Sequence, residues 1–136
     1  MSAVKRCYQL KVVSDFASAH SLHNYPGDCR RLHGHNWKVE VEVSASALNE
    51  LGIAIDFKAL RHIVKKVTDR FDHFYLNDIP PFDKENPTAE NIAAAIYQGV
   101  AAALQQPHYH SIALIAVTLW ETERACVRYS EELIHE

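Results

Sequence analysis

Apolar and polar residues alternate along several stretches of the chain, and this pattern predicts four β-strands. The signal is clearest where Trp37, Val39, Val41 and Val43 alternate with charged or polar neighbours. A second alternating stretch begins at Tyr8, and two β-branched apolar stretches lie near the C-terminal end. The predicted strands cover residues 8 to about 20, 37–44, 111–120 and 125–129. The turn-forming residues within 21–31 predict a loop between the first two strands.

Two intervening stretches have the helical period of three and four residues. In the first, the apolar positions after Phe57 are Leu60, Ile63, Val64, Val67 and Phe71, and Asp56 precedes them as a candidate N-cap. In the second, Thr88 is the candidate N-cap of an alanine-rich helix that Pro107 ends. The predicted order is therefore β-β-α-α-β-β.

This order predicts an α+β architecture in one domain spanning residues 1–136. Two hairpins that flank two helices favour a four-stranded antiparallel sheet with both helices on one face. Such a sheet has two unpaired edges, which favours self-association.

Composition narrows the possible partners. Hydrophobic residues make up 48% and charged residues 23% of 136 residues, which is typical of a globular protein. With 14 basic and 17 acidic side chains the net charge is −3, so no basic excess favours nucleic acid. No apolar run is long enough to span a membrane, and no signal peptide is recognisable. Three scattered cysteines without a CxxC pair favour a reducing compartment, the cytoplasm.

Nine histidines are the unusual feature of the composition, and two of them predict a metal site. His33 and His35 flank Gly34 at the entry to the second strand, where residues two apart point to the same face, about 7 Å apart. His20, at the end of the first strand, is the preferred third ligand, and His23 is its rival. Three imidazoles with one open position are typical of catalytic zinc. A second His-x-His pair, His108 and His110, is interpreted as surface-exposed.

For several other polar residues the sequence leaves more than one role open. Cys29, four residues before His33, is a base or nucleophile, a metal ligand, or an inert thiol. Asp72 and His73, at the end of the first helix, fit either a reactive site or a satisfied helix end. Glu121, at the end of the third strand, is either half-buried or a solvated strand-end charge.

Taken in order, these residues resemble the 6-pyruvoyltetrahydropterin synthase family over nearly the whole chain. The motifs are Phe16-x-Ala-x-His20, Cys29-x-x-x-His33-Gly-His35, Ile55-Asp56-Phe57, Asp72-His73 with Leu76-Asn77, Asn86-Pro87-Thr88-x-Glu90-Asn91, and Glu121. The three residues between Cys29 and His33 resemble the bacterial branch, the 6-carboxy-5,6,7,8-tetrahydropterin synthases of queuosine biosynthesis.

The resemblance implies the tunnelling fold, in which trimers close their sheets into a barrel and commonly pair into hexamers. It implies zinc on His20, His33 and His35, and Cys29 as a catalytic base. It further implies that Asp72 and His73 transfer a proton, that Glu121 anchors the pterin ring, and that Thr88 contributes to that pocket.

The implied reaction converts 7,8-dihydroneopterin triphosphate to 6-carboxy-5,6,7,8-tetrahydropterin with release of acetaldehyde and triphosphate, without a nicotinamide cofactor. Arg30 and Arg31 are candidate cations for the triphosphate. Two alternatives stay open, namely 6-pyruvoyltetrahydropterin synthase activity, in which the side chain stays on the ring, and a metal- or pterin-binding module without catalysis.

Overall fold

The elements follow the predicted order. The computed structural model describes residues 3–24, 26–27 and 31–134. The strands are β1 (Tyr8–His20), β2 (His33–Ala45), β3 (Ile112–Thr122) and β4 (Ala125–Tyr129), and the helices are α1 (Phe57–Thr68) and α2 (Ala89–Ala103). Two short 3₁₀ helices, Leu76–Asp78 and Pro107–Tyr109, were not predicted.

The four strands form one antiparallel sheet in the order β1-β2-β3-β4. β1 and β2 pair along their whole length, from Tyr8 opposite Ala45 to His20 opposite His33. The hairpin therefore brings two of the predicted metal ligands to directly opposite positions. β2 begins four residues earlier than the alternating pattern at Trp37 indicated, so both His33 and His35 belong to the strand.

Both helices begin where the sequence predicts. The Asp56 carboxylate accepts hydrogen bonds from the backbone N–H groups of Lys58 and Ala59, and the Thr88 hydroxyl accepts one from Asn91 N–H. α1 ends at Thr68, earlier than its apolar pattern indicated. After Thr68 the backbone forms a tighter turn, in which the N–H of Phe71 donates a hydrogen bond to the Thr68 carbonyl three residues before it. Phe71 is still fully buried, so it joins the core from a turn.

The core lies between the sheet and the two helices. Its largest fully buried apolar side chains come from β2 and β3, from α1 and α2, and from the segment between the helices: Trp37, Val39, Val41, Val43, Leu60, Phe71, Leu76, Phe82, Ile92, Ile96 and Leu119. Alternate residues of β2 face the other way, and that face carries ion pairs such as Lys11–Glu40 (3.6 Å) and Arg128–Glu42 (3.4 Å). Among the described residues, no helix is both long and apolar enough to cross a membrane.

Beyond Ala17, the outer edge of β1 is covered by the segment that follows α1. The N–H of His73 donates to the Ala17 carbonyl at 2.6 Å, and the N–H of Ala19 donates to the Phe74 carbonyl at 3.1 Å. Asp72 and His73 therefore lie beside β1, outside the helix that was expected to carry them.

Candidate active site

Three imidazoles and one carboxylate converge at one end of the sheet. Their members are His20, His33, His35 and Glu121, whose candidate ligand atoms all lie within 4.8 Å of one another. The ring centroid of His20 lies 4.4 Å from that of His33 and 5.0 Å from that of His35. The strand pairing explains this arrangement, because His20 is opposite His33, and His35 is two residues along on the same face of β2.

Backbone carbonyls orient two of these rings. Nδ1 of His20 lies 2.7 Å from the Pro87 carbonyl oxygen, and Nδ1 of His33 lies 2.7 Å from the Arg31 carbonyl oxygen. Since a carbonyl only accepts, each Nδ1 carries the proton and donates it. Nε2 of each ring is then left with a free lone pair, which is the form that binds a metal ion.

Burial favours the neutral form of two of the imidazoles, those of His20 and His35. His20 is 2% exposed, and this desolvation, followed by weaker contributions of the neighbouring histidines, lowers its pKa below 6.5 even though the Pro87 carbonyl opposes the shift. Desolvation also lowers the pKa of His35, against the opposing charge of Glu121. Neutral imidazole is the required ligand state.

Glu121 reaches the cluster from an irregular point of β3. The β3–β4 register shifts between Trp120 and Thr122, as in a β-bulge, and Glu121 lies at the extra position. Its Oε1 is 3.1 Å from His35 Nε2 and 3.9 Å from His20 Nε2. Of the two alternatives that the sequence left open, the half-buried carboxylate is the one observed, with 31% of the side chain exposed.

The donor set fits a metal ion of the zinc type. Nε2 of His20 and Nε2 of His35 are buried and have no hydrogen-bond partner among the described residues, a costly state for polar atoms unless another group binds them. Three imidazoles with a carboxylate beside them match the nitrogen and oxygen donors that zinc accepts. The cluster can therefore hold a metal ion.

Asp72 and His73 form a second polar pair, at the edge of β1. Asp72 Oδ1 accepts the Ala17 N–H at 2.9 Å and lies 3.0 Å from His73 Nδ1. That backbone hydrogen bond, helped by His73, lowers the pKa of the Asp72 carboxyl. The His73 side chain is 81% exposed, and its backbone has a positive φ of 64°. His73 and His35 line the same open cavity of about 450 Å³, although His73 is outside the metal-binding group.

The remaining candidates fall in different places. Cys29 and Arg30 lie outside the described residues. The Thr88 hydroxyl accepts the Asn91 N–H as the cap of α2. His23 is exposed and its Nε2 faces Asn77 Nδ2 at 3.2 Å, so it does not join the cluster. His108 and His110 are exposed, as interpreted.

Sequence reasoning missed three residues that contact His20 or the backbone just after it, namely Asn77, Asn86 and Pro87. All three stand within motifs that were recognised, Leu76-Asn77 and Asn86-Pro87-Thr88. Their backbone and amide contacts depend on the tertiary fold, so the motifs mark their positions without indicating what they contact.

Comparison with known proteins gives a consistent picture. The model of the family described as 6-pyruvoyl tetrahydropterin synthase matches residues 9–132. A 6-carboxy-5,6,7,8-tetrahydropterin synthase of Synechocystis sp. is 37% identical over 119 residues, which cover 84% of this chain and 86% of the relative. A putative enzyme of the same name from Archaeoglobus fulgidus is 41% identical over 92 residues, covering 66% of this chain and 73% of the relative.

A solved structure supports the same fold. The 6-pyruvoyl tetrahydropterin synthase of Caenorhabditis elegans superimposes with a TM-score of 0.81 at 24% identity, covering 93% of this chain and 97% of that chain. With the family model matching nearly the whole chain, this protein belongs to the 6-pyruvoyl tetrahydropterin synthase family.

Proposed function

We propose that this protein is a zinc-dependent 6-carboxy-5,6,7,8-tetrahydropterin synthase. It converts 7,8-dihydroneopterin triphosphate and one water molecule to 6-carboxy-5,6,7,8-tetrahydropterin, with release of acetaldehyde and triphosphate, within queuosine biosynthesis. The observation that carries the proposal is the convergence of His20, His33 and His35 beside Glu121. The names of the bacterial and archaeal relatives support the choice of this reaction within the family.

His20, His33 and His35 hold the zinc ion. When bound, zinc polarises the oxygens of the substrate side chain and stabilises negative charge as protons leave neighbouring carbons. The protein supplies neutral imidazoles for this purpose, since burial lowers the pKa of His20 and His35. The Pro87 and Arg31 carbonyls hold two of the rings with Nε2 available.

Proton transfer is assigned to Cys29 and to the Asp72–His73 pair. Cys29 acts as the base on one side of the substrate, supported by its position in the family motif. His73 exchanges a proton on the other side, and Asp72, 3.0 Å from its Nδ1, orients the ring. A positioned acid or base of this kind contributes about 10²- to 10⁴-fold in rate.

Substrate binding is assigned to Glu121 and Thr88. The Glu121 carboxylate accepts hydrogen bonds from the 2-amino group and the adjacent N–H of the pterin ring. Its position 3.1 Å from His35 Nε2 requires the ring to lie close to the metal. Thr88 Oγ1 caps α2 as an acceptor, which leaves its hydroxyl hydrogen to donate to substrate.

The protein assembles as a trimer, or a dimer of trimers, whose sheets join into a barrel. The edge of β1 before Ala17 is unpaired within the described chain, and so is the outer edge of β4. Val13, on this part of β1, is 50% exposed. Pairing of the β1 edge of one copy with the β4 edge of another would satisfy both. The free thiols of Cys7 and Cys126 support a cytoplasmic location.

The decisive test is the fate of the substrate side chain. Purified zinc-loaded protein is incubated with 7,8-dihydroneopterin triphosphate, and acetaldehyde is measured by a coupled alcohol dehydrogenase assay. Stoichiometric acetaldehyde with 6-carboxytetrahydropterin is the expected result. A pyruvoyl product without acetaldehyde would identify 6-pyruvoyltetrahydropterin synthase instead, and binding of pterin without turnover would identify a binding module. Cys29→Ala is the inactive control.

A further inference from the structure

The outer edge of β1 continues to make hydrogen bonds after the strand ends. Ala17, Ala19, Ser21 and His23 lie at every second position, so their backbone N–H and C=O groups face the same edge. Ala17 and Ala19 pair with the segment after α1, as described above. Ser21 and His23 lie beyond His20, where β1 has ended, and two asparagine side chains pair with them.

Asn77 pairs with Ser21 through both atoms of its amide. Its Oδ1 accepts the Ser21 N–H at 3.0 Å, and its Nδ2 donates to the Ser21 carbonyl at 2.9 Å. The second hydrogen of Nδ2 faces His23 Nε2 at 3.2 Å. A side-chain amide thus replaces the neighbouring strand at the residue immediately after the buried imidazole of His20.

Asn86 makes the same bidentate contact two residues further along. Its Oδ1 accepts the His23 N–H at 2.8 Å, and its Nδ2 donates to the His23 carbonyl at 3.0 Å. Asn86 is held in turn, because Asn91 Nδ2 donates to its carbonyl at 2.8 Å. The next residue, Pro87, provides the carbonyl that accepts from His20 Nδ1. Asn86 therefore connects the start of α2 to both the backbone after β1 and the ring of His20.

We propose that Asn77 and Asn86 are positioning residues of the metal centre, which fix His20 as a ligand by holding the backbone of Ser21 and His23. Neither asparagine belongs to the His–Glu cluster. Without them, the residues after His20 lose their pairing and the ring loses its fixed direction toward the cluster. The inference rests on the proposed metal-dependent function, and it adds a support that the ligand set alone does not include.

Asn49 offers a matched control. Its Oδ1 accepts the N–H groups of Leu51 at 2.9 Å and Ile53 at 3.1 Å, so it also holds a loop through its amide. Asn49 differs in two respects that the experiment uses. Its loop precedes α1 and contains no member of the His–Glu cluster, and the contacts recorded for its amide use only the acceptor oxygen.

The experiment compares alanine and aspartate variants at the three asparagines. Zinc affinity of each full-length variant is measured by competition with a chromophoric chelator, and the visible absorption of the cobalt-loaded form reports coordination geometry. Thermal unfolding of the metal-free variants separates loss of stability from loss of ligand positioning. Where an alanine variant does not fold, the serine variant, which retains one hydroxyl for hydrogen bonding, replaces it.

We expect Asn77→Ala and Asn86→Ala to weaken zinc binding about 10- to 100-fold, the range found for residues that support metal ligands, and to alter the cobalt spectrum. Asn77→Asp and Asn86→Asp should be equally damaging, because a carboxylate oxygen would face the backbone carbonyl. Asn49→Ala should lower stability without changing zinc affinity, and Asn49→Asp should retain the acceptor.

Wild-type zinc affinity and cobalt spectra in the Asn77 and Asn86 variants would overturn the proposal, as would an equal loss of affinity in Asn49→Ala. Failure of the proposed reaction has a different signature. In that case the wild-type protein binds zinc but releases no acetaldehyde, while the affinity measurements still decide the role of the two asparagines. A wild-type protein that binds neither zinc nor cobalt would overturn both.

Discussion

Oε1 of Glu121 lies 3.1 Å from Nε2 of His35, with no hydrogen bond formed by that nitrogen. The carboxylate reaches this position because the β3–β4 register shifts at Glu121. The neutral His35 ring donates no hydrogen bond to the Glu121 carboxylate. The carboxylate therefore needs another partner, either a metal ion or a donor on the substrate. The two roles predict different effects of one substitution.

Glu121→Gln removes the charge and keeps the shape of the side chain. If Glu121 binds the pterin ring, as proposed, zinc affinity should be nearly unchanged and KM should rise. Charged hydrogen bonds contribute about 1.5–3 kcal/mol, which corresponds to a roughly 10- to 100-fold loss in kcat/KM. Metal analysis and steady-state kinetics on the same preparation check this. A protein that loses its zinc would show that Glu121 is a metal ligand.

His33→Ala and His108→Ala separate the two His-x-His pairs. His33 lies in the cluster, whereas His108 is exposed on a short 3₁₀ helix, with its ring centroid 4.0 Å from that of Tyr109. Removing one of three imidazole ligands should abolish tight zinc binding and the acetaldehyde-forming activity, while His108→Ala should retain both. Zinc content after dialysis against a weak chelator measures the difference. Full zinc retention in His33→Ala would contradict the ligand assignment.

The sequence predicted the fold because its elements depend on local patterns. β4 was predicted with its observed bounds, and Asp56 and Thr88 were predicted as N-caps. The convergence of His20 with the other two histidines also followed from local rules, since one hairpin and a period of two bring them together. The prediction that α1 extends to Phe71 was wrong, because a turn can bury the Phe71 side chain as well as a helix can.

Contacts between distant elements could not be predicted in this way. The position of Glu121 depends on a register shift that no residue type specifies, and the sequence left burial and exposure equally open. The pairing of Asn77 and Asn86 with Ser21 and His23 depends on where the segment after α1 crosses the edge of β1. These contacts follow from the packing of the whole chain.

Asp72 should contribute to stability in a pH-dependent manner. In the folded state the Ala17 N–H, and then the neighbouring His73, lower the pKa of its carboxyl below the ordinary value of 3.8. The unfolded chain therefore binds a proton at higher pH than the folded protein does. The stabilisation is complete above about pH 4 to 5 and decreases as the pH falls through the folded-state pKa.

Asp72→Asn tests this dependence, because the amide oxygen still accepts the Ala17 N–H but has no charge. Melting temperatures of the wild type and the variant are measured between about pH 2.5 and about pH 7, from below to well above the pKa of an ordinary aspartate carboxyl (about 3.9). The wild type should be more stable at neutral pH, with a difference that shrinks below about pH 4. Asp83→Asn, in an exposed turn, is the control. A constant difference over the whole range would contradict the prediction.

Gly99 permits the close approach of α2 to α1. A Cβ atom at this position would lie 2.8 Å from Cγ1 and 3.1 Å from Cγ2 of Val67, which is buried on α1. The β-branched valine has little freedom to move aside in a helix. Alanine normally stabilises a helix interior by about 1 kcal/mol relative to glycine, but overpacking costs about 1–3 kcal/mol.

Gly99→Ala should therefore lower the free energy of unfolding by up to about 2 kcal/mol, the difference between these two effects. The double variant Gly99→Ala/Val67→Ala removes the clash, so its loss should be smaller than the sum of the two single losses. Urea unfolding of the four proteins gives this coupling energy. Additive losses, or a Gly99→Ala variant more stable than the wild type, would show that the two helices can move apart at little cost.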